Sequence, residues 1–289
     1  MPKNFYKILV ASLIVFLVVL SVFLYFYKIK QNSLEVDFLD VGQGDSELIQ
    51  TPFGQNILVD GGPDKKVMSR LAENLSWWDR KIDLMILTHP HDDHVTGLVD
   101  VVKRYDVKKI IYTGVAHTGP NYLAWLKVVR DKKIPVIIID HPQTIKLGDD
   151  CEIEIMFPDE NLVGKTPENL NNTSIAMKLV YGKTKFFLAG DIEKDIEHKL
   201  SMENIDLSAD VFKADHHGSD TSNTEELLRK INPKIVVIEV GKNNQFGHPS
   251  GRPLKTFERI GARVYRTDLD GTVRIASDGA KVSAVSANN

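Results

Sequence analysis

A second cysteine is missing from this chain. Cys151 stands alone among 289 residues, so neither an intramolecular disulfide framework nor a cysteine-rich zinc site can form. Excess charge is missing too. Lys and Arg number 36 against 39 Asp and Glu, and the formal net charge of −3 gives no overall electrostatic footprint for nucleic acid, although such a sum hides any local basic groove. Internal repeats and low-complexity segments are likewise absent. The length allows one sizeable domain or two small ones, with a core large enough to stand without staples.

What the chain does have begins at its amino terminus. From Ile8 to Tyr27 every residue is apolar or aromatic except Ser12 and Ser21. Such a run of about 20 residues at about 1.5 Å per residue matches a hydrocarbon core of about 30 Å, and it reads as one transmembrane helix. Lys3 and Lys7 precede it and Lys28 and Lys30 follow, so flanking charge hardly decides orientation. A short basic head before a long domain behaves as a signal anchor, which puts the domain outside the cytoplasm. Cleavage is disfavoured because Phe23 to Lys30 is bulky and offers no small-x-small site. The chain therefore divides into a head (1–7), an anchor (8–27), a linker (28–33), a globular domain (34–277) and a tail (278–289).

Within the globular domain, apolar runs expected to be strands include Leu34–Leu39, Asn56–Val59, Leu84–Leu87, Lys185–Leu188 and Ile235–Val240. Helical patterns separate several of them, at Lys65–Leu75, Val95–Arg104, Tyr122–Lys132, Asp191–Ser201, Thr224–Asn232 and Pro253–Gly261. This alternation predicts an α/β fold with sheets buried under helices. Pro158 to Asn172 is the clearest long loop. Trp77 and Trp78 end a helical segment and read as packing residues rather than as a stacking surface for substrate; Lys213 and Ser219 flank a histidine pair where they could touch an anion, but a lone lysine in a strand usually marks an edge.

One stretch stands apart. His89, His91, Asp92, Asp93 and His94 put three imidazoles and two carboxylates into six consecutive positions, on a turn between the strand at 82–87 and the helix at 95–104. Imidazole nitrogens and carboxylate oxygens suit zinc, iron and manganese, and a tight turn aims them into one cavity. A histidine-rich surface loop is the alternative, and the apolar elements on both sides argue against it.

The run Thr88 to His94 resembles the His-x-His-x-Asp-His signature of the metallo-β-lactamase fold. Further segments resemble the hydrolase domain of ComEC-type DNA-uptake proteins, in the same order: Phe38 to Ser46, Leu58 to Gly62, Leu188 to Asp191, His216 to Ser219 and Asn244 to Pro249. The resemblance spans roughly 34 to 277 and implies an αββα sandwich, here preceded by one transmembrane helix. It implies one or two divalent metal ions, zinc or manganese. His89 and His91 would serve a first position, Asp93 and His94 a second, and Asp191 would bridge them; the alternative for Asp191 is to cap the following helix. Either His216 or His217 would complete the second position, with the Gly-His-Gly version in relatives favouring His217. Relatives supply one more histidine before the bridging aspartate, but here the segment from Asn169 to Ser174 has none, and Asn171 or Asn172 is left to offer an oxygen. Asp45, Asp60, Ser219 and Asn244 are expected behind the ligands or against substrate, and His248 at the substrate or the leaving group.

A metal ion makes a hydroxide nucleophile available at neutral pH, so the resemblance implies a metal-dependent hydrolase. Its ComEC-type branch implies a phosphodiesterase or nuclease acting on DNA, at the cell membrane. Two alternatives stay open: a hydrolase of a cell-envelope phosphodiester, similar to phosphorylcholine esterases, and a tethered, metal-poor binding module. The bilayer is the expected partner of the amino-terminal helix, and no obligate protein partner is implied.

Overall fold

The computed structural model describes residues 3–31 and 33–286, with side chains of the first helix described at Lys7 and at Leu9–Val22. That helix, α1, spans Lys3–Gln31. Among the described residues no helix is long and apolar enough to cross a membrane. The side chains of α1 from Leu9 to Val22 are exposed throughout. The span expected from Ile8 to Tyr27 therefore lies partly outside the described side chains, as does most of the 28–33 linker.

The domain that follows is built from alternating strands. In its first half these are β1 (Leu34–Phe38), β2 (Glu47–Gln50), β3 (Asn56–Val59), β4 (Lys81–Ile82), β5 (Leu84–Ile86), β6 (Asp106–Val107), β7 (Ile110–Tyr112) and β8 (Val136–Ile138). The second half supplies β9 (Gln143–Lys146), β10 (Cys151–Phe157), β11 (Ala176–Tyr181), β12 (Thr184–Leu188), β13 (Val211–Lys213), β14 (Ile235–Ile238), β15 (Arg263–Arg266), β16 (Val273–Ser277) and β17 (Val282–Ser286). One sheet has eight strands in the order β17-β16-β1-β2-β3-β5-β7-β8, and the other seven in the order β15-β14-β13-β12-β11-β10-β9. Helices α2 (Lys66–Asn74), α3 (Asp92–Arg104) and α4 (Pro120–Asp131) belong to the first half. Helices α5 (Lys194–Met202), α6 (Glu225–Ile231), α7 (Gly251–Arg259) and the short α8 (Thr267–Asp270) belong to the second.

Strand alternation explains the layering. In β3 and β5, Ile57, Val59, Leu84 and Ile86 face the second sheet and join Ile153, Met177, Phe186 and Val237 in one core. Their neighbours Leu58, Met85 and Leu87 point the other way, under Val67, Leu71, Val95, Leu98 and Trp125 of α2, α3 and α4. A third cluster seals the second sheet, with Phe187, Phe212 and Val236 beneath Leu200, Leu227 and Phe257. Apolar residues on both faces of a strand demand cover on both, which gives helices, two sheets and helices again.

The structure departs from the sequence reading at several ends. Helix α3 begins at Asp92 rather than Val95, so Asp92 and Asp93 occupy its first turn, where the helix dipole favours carboxylates. Helix α5 begins at Lys194 with Glu193 at its N-cap position, which removes the capping role considered for Asp191. The stretch read as a tail contributes β17, paired with β16 along its whole length. The polar strand β9 also escaped notice, since its alternation carries little apolar signal.

β3, β5, β7 and β8 run parallel, as do β12, β13, β14 and β15. The segments after them therefore gather at one end of the sandwich. In such sheets ligands bind at the carboxyl ends of strands, and the polar clusters lie there.

Candidate metal centre

Five strand ends supply the centre. Asp60 follows β3, His89 to His94 follow β5, Asp191 follows β12, His217 follows β13 and Glu239 follows β14, while Asp45 closes the loop between β1 and β2. That loop lies against the start of α3 because residue 44 is glycine: a Cβ there would stand 2.2 Å from the Asp93 carbonyl oxygen. Asp45 N in turn donates to that oxygen at 3.3 Å. His216 and His217 sit in a tight turn with φ of 49° and 53°. Left-handed backbone at two non-glycine residues costs of order 1 kcal/mol or more each, a strain typical of functional sites. Asn223 holds the turn by donating from Nδ2 to the carbonyls of Asp215 at 2.8 Å and Ser219 at 3.3 Å.

Asp93, His94, Asp191 and His217 converge. One ligand atom of each lies within 4.8 Å of all the others. Asp191 Oδ2 is 3.2 Å from His94 Nε2 and 3.5 Å from His217 Nε2, and Asp93 Oδ2 is 3.3 Å from the same His217 nitrogen. His216 is more distant, its Nε2 4.0 Å from Asp191 Oδ2 and its Nδ1 3.1 Å from Thr221 Oγ1. Of the histidine pair, His217 is the one turned into the cluster.

Hydrogen bonds behind the rings fix which nitrogen faces inward. His94 Nδ1–H donates to Asp60 Oδ2 at 2.7 Å, and His217 Nδ1–H donates to the Glu239 carbonyl at 2.9 Å. Thr88 Oγ1–H donates to Asp60 at 2.6 Å, so the same oxygen can accept from His89 Nδ1–H at 3.2 Å. Each ring thus presents Nε2 to the cavity, the arrangement by which carboxylates and carbonyls orient metal-binding histidines. His89 Nε2 and His91 Nδ1 face each other at 3.1 Å, and the His89 and His94 rings are 4.1 Å apart.

The charges are strongly coupled. Burial works against the Asp191 carboxylate, yet His217, His94 and Lys213 hold it well below its ordinary range. Burial also opposes charge on His217, but Asp191 and Asp45 push it up to about 10. His94 is raised for the same reason, with burial outweighed by Asp191, Asp93 and Asp60. His89 goes the other way, lowered by burial and by the neighbouring His94. Protons on His94 and His217 therefore balance the carboxylates of Asp93 and Asp191. A divalent cation would occupy the space those protons face, and the donor set of two imidazoles and two carboxylates fits zinc and manganese alike.

Asparagines close one side. Asn171 Nδ2 donates to Glu193 Oε1 at 3.1 Å, which fixes its amide and leaves Oδ1 buried without a partner among the described residues. Asn172 Oδ1 already accepts from Glu193 N at 2.9 Å. Of the two, Asn171 has the free oxygen. Asn244 clamps the 244–248 loop, donating to the His248 carbonyl at 2.7 Å and accepting from His248 N at 3.0 Å. Ser219 accepts from Thr221 N at 3.2 Å and packs behind the histidine turn. His248 itself is half-buried at the mouth, its ring 5.6 Å from that of His216 and 6.4 Å from that of His217.

Three participants were not legible in sequence. Lys213, taken for an edge lysine, is fully buried between Asp45 and Asp191 and donates to the Gly190 carbonyl at 2.8 Å. Glu239 accepts from Ser46 N at 3.0 Å and ties the two sheets together beside His217. Glu193 gathers Asn169, Asn171 and Thr221 around one carboxylate. Their partners lie about 20 to nearly 200 residues away, and only the apolar run before Lys213 hinted at its burial.

The sequence profile described as "Metallo-beta-lactamase superfamily" matches residues 39–241. ComE operon protein 3 of Bacillus subtilis is 28% identical over 268 residues, covering 87% of this chain and 34% of the relative. Recombination protein 2 of Haemophilus influenzae is 28% identical over 256 residues, covering 87% of this chain and 30% of that protein. The chain thus spans about a third of the length of these relatives. Among solved structures, CmlA, a diiron β-hydroxylase from Streptomyces venezuelae, superposes with a TM-score of 0.52 at 14% identity, over 84% of this chain and 54% of that one, a likeness of fold.

Proposed function

The chain belongs to the metallo-beta-lactamase superfamily and is a metal-dependent hydrolase; on that premise we propose that it is a membrane-anchored phosphodiesterase or nuclease. The observation that carries the substrate class is the match of 87% of the chain to ComE operon protein 3, with Recombination protein 2 aligned over the same share. The word recombination in the name of the second relative, beside the resemblance of the motifs to ComEC-type DNA-uptake proteins, supports a nucleic-acid phosphodiester as the substrate. The apolar run at Ile8–Tyr27 supports the anchor, with the domain on the extracytoplasmic side.

In this reading Asp93, His94, Asp191 and His217 hold one cation, and His89 and His91 hold a second with help from Asn171 Oδ1. When bound, the metal supplies a nucleophile at neutral pH and stabilises charge on the phosphoryl oxygens. The chain's own residues do the rest. Asp60 and the Glu239 carbonyl keep His94 and His217 in the tautomer that faces inward. Lys213 holds the Asp45 and Asp191 carboxylates in register. His248 at the mouth contacts the substrate and delivers a hydrogen bond or proton to the leaving oxygen.

The test is turnover of a single-stranded oligonucleotide and of bis(4-nitrophenyl) phosphate, beside 4-nitrophenyl phosphate, a lactam and a phosphorylcholine ester. Preference for the first two supports the proposal. Preference for the phosphorylcholine ester would move the assignment to an envelope phosphodiester, and turnover of the lactam alone would refute it.

A further inference from the structure

The end of the sandwich opposite the metal centre has a distinct character. Because β3, β5, β7 and β8 are parallel, the segments that precede them collect there: the 51–55 turn, 75–83 after α2, 103–109 after α3 and 130–135 after α4. These segments touch. Asn56 Nδ2 donates to Asp79 Oδ2 at 2.8 Å, Asp106 N to the Arg80 carbonyl at 2.8 Å, and Lys132 Nζ to the Lys103 carbonyl at 3.0 Å. Ser33, Phe53, Ser76 and Asp79 line a single cavity, so the start of β1 belongs to the same face.

Two observations distinguish this face. Trp77 and Trp78 are 81% and 69% exposed, with Phe53 49% exposed, whereas Trp125 is wholly buried. The expected packing role of the tryptophan pair is therefore not what the structure shows. Second, residues 79–83, 103–109 and 130–135 contain nine Lys and Arg against four Asp, in a chain whose net charge is −3. Some of these charges pair locally, as Lys81 does with Asp83 and Lys108 with Asp106, but a basic excess remains.

We propose that this end of the domain docks on the headgroup layer of a bilayer carrying anionic phospholipid. Tryptophan favours that layer because its ring is apolar and its N–H polar, and lysine and arginine are drawn to anionic headgroups. The chain itself delivers the face: α1 ends at Gln31 and β1 begins at Leu34, so the domain is joined to α1 at this end. Docking deepens the anchored reading and rests on it for the proximity of the bilayer. It holds the strands upright and turns the metal centre away from the membrane, one strand length above it.

The experiment adds the full chain to vesicles of phosphatidylcholine, with and without phosphatidylglycerol, carrying brominated acyl chains. Tryptophan emission is read before and after flotation and an alkaline carbonate wash. Docking predicts quenching at least twofold stronger with phosphatidylglycerol, abolished in the Trp77→Ser/Trp78→Ser variant, whose Trp125 emission and hydrolase activity persist. The Arg104→Glu/Lys132→Glu variant should lose the phosphatidylglycerol-dependent part of the quenching, the docking equilibrium falling by roughly fivefold or more per charge. Retention after the wash reports the anchor separately. Flotation with no quenching before the wash would overturn docking, with retention after the wash leaving the anchor standing; quenching before the wash with no retention after it would support docking without an anchor; no flotation at all would overturn both. Charge variants that leave the quenching and its dependence on phosphatidylglycerol unchanged would also overturn the proposal.

Discussion

Replacing Asp60 by asparagine isolates the part of the centre that aims a ligand without touching its donor atoms. The Asp60 carboxylate accepts three hydrogens: Thr88 N at 2.8 Å on Oδ1, and Thr88 Oγ1 at 2.6 Å and His94 Nδ1 at 2.7 Å on Oδ2. An amide cannot accept all three. If its NH2 replaces Oδ2, the Thr88 hydroxyl can rotate to accept, but His94 must turn its Nδ1 lone pair outward and carry its proton on Nε2, facing the cluster. If the NH2 replaces Oδ1, it opposes the Thr88 backbone N–H, which cannot reverse, at about 1–3 kcal/mol. The first arrangement blocks the metal and the second strains the strand end. Metal affinity should fall about 10- to 100-fold, the usual effect of removing a partner of this kind. The fold should survive, since no apolar contact is lost. Isothermal titration with zinc and with manganese, beside circular dichroism, reads both quantities. Unchanged metal affinity in a folded Asp60→Asn protein would refute the assigned tautomer and the inward orientation of His94.

Further predictions concern charge and burial. Lys213→Met removes the buried ammonium that faces both the Asp45 and Asp191 carboxylates and should destabilise the metal-free protein by about 3–5 kcal/mol, read as a lower Tm. His217 is raised to about 10 and Glu239 to about 8, so their contributions to metal-free stability are present at low pH and lost as pH rises through those values. The metal-free Tm should therefore fall from pH 6.5 to pH 9, and added metal should raise Tm more at the higher pH; the reverse order would contradict the charge balance described. Burial pushes the Cys151 thiol up to about 12, so the native protein should resist a thiol-specific reagent that modifies the unfolded chain at once. His248→Ala should lower kcat for oligonucleotide cleavage about 100-fold or more with metal affinity intact, as steady-state kinetics and titration together would show.

Much of this architecture was legible before any coordinates. The density of imidazole and carboxylate between His89 and His94 needs no tertiary information, and an unbroken apolar run such as Ile57-Leu58-Val59 dictates a strand buried on both faces. The choice between His216 and His217 rested on the resemblance, which favoured His217, and not on the residues themselves, because both follow the same strand and only the left-handed turn decides which ring enters the cluster. Asn171 and Asn172 differ for a similar reason: a single backbone donor, Glu193 N, engages one oxygen and leaves the other free. Lys213 was misjudged because a lysine in a strand usually sits at an edge, whereas here two distant carboxylates make its burial tolerable. β17 was missed because small and polar residues dominate a strand at the sheet margin, where only Val282 and Ala284, among its described side chains, pack against the core.

The most direct measurement is made on the metal-free full chain, following cleavage of bis(4-nitrophenyl) phosphate and single-stranded DNA as zinc or manganese is titrated in, with Asp191→Ala in parallel. The account predicts no turnover without metal, activity that saturates at one or two bound ions per chain, and loss of both high-affinity binding and turnover in the variant. Cleavage that persists in Asp191→Ala, or stoichiometric metal binding with no phosphodiester cleaved, would contradict it.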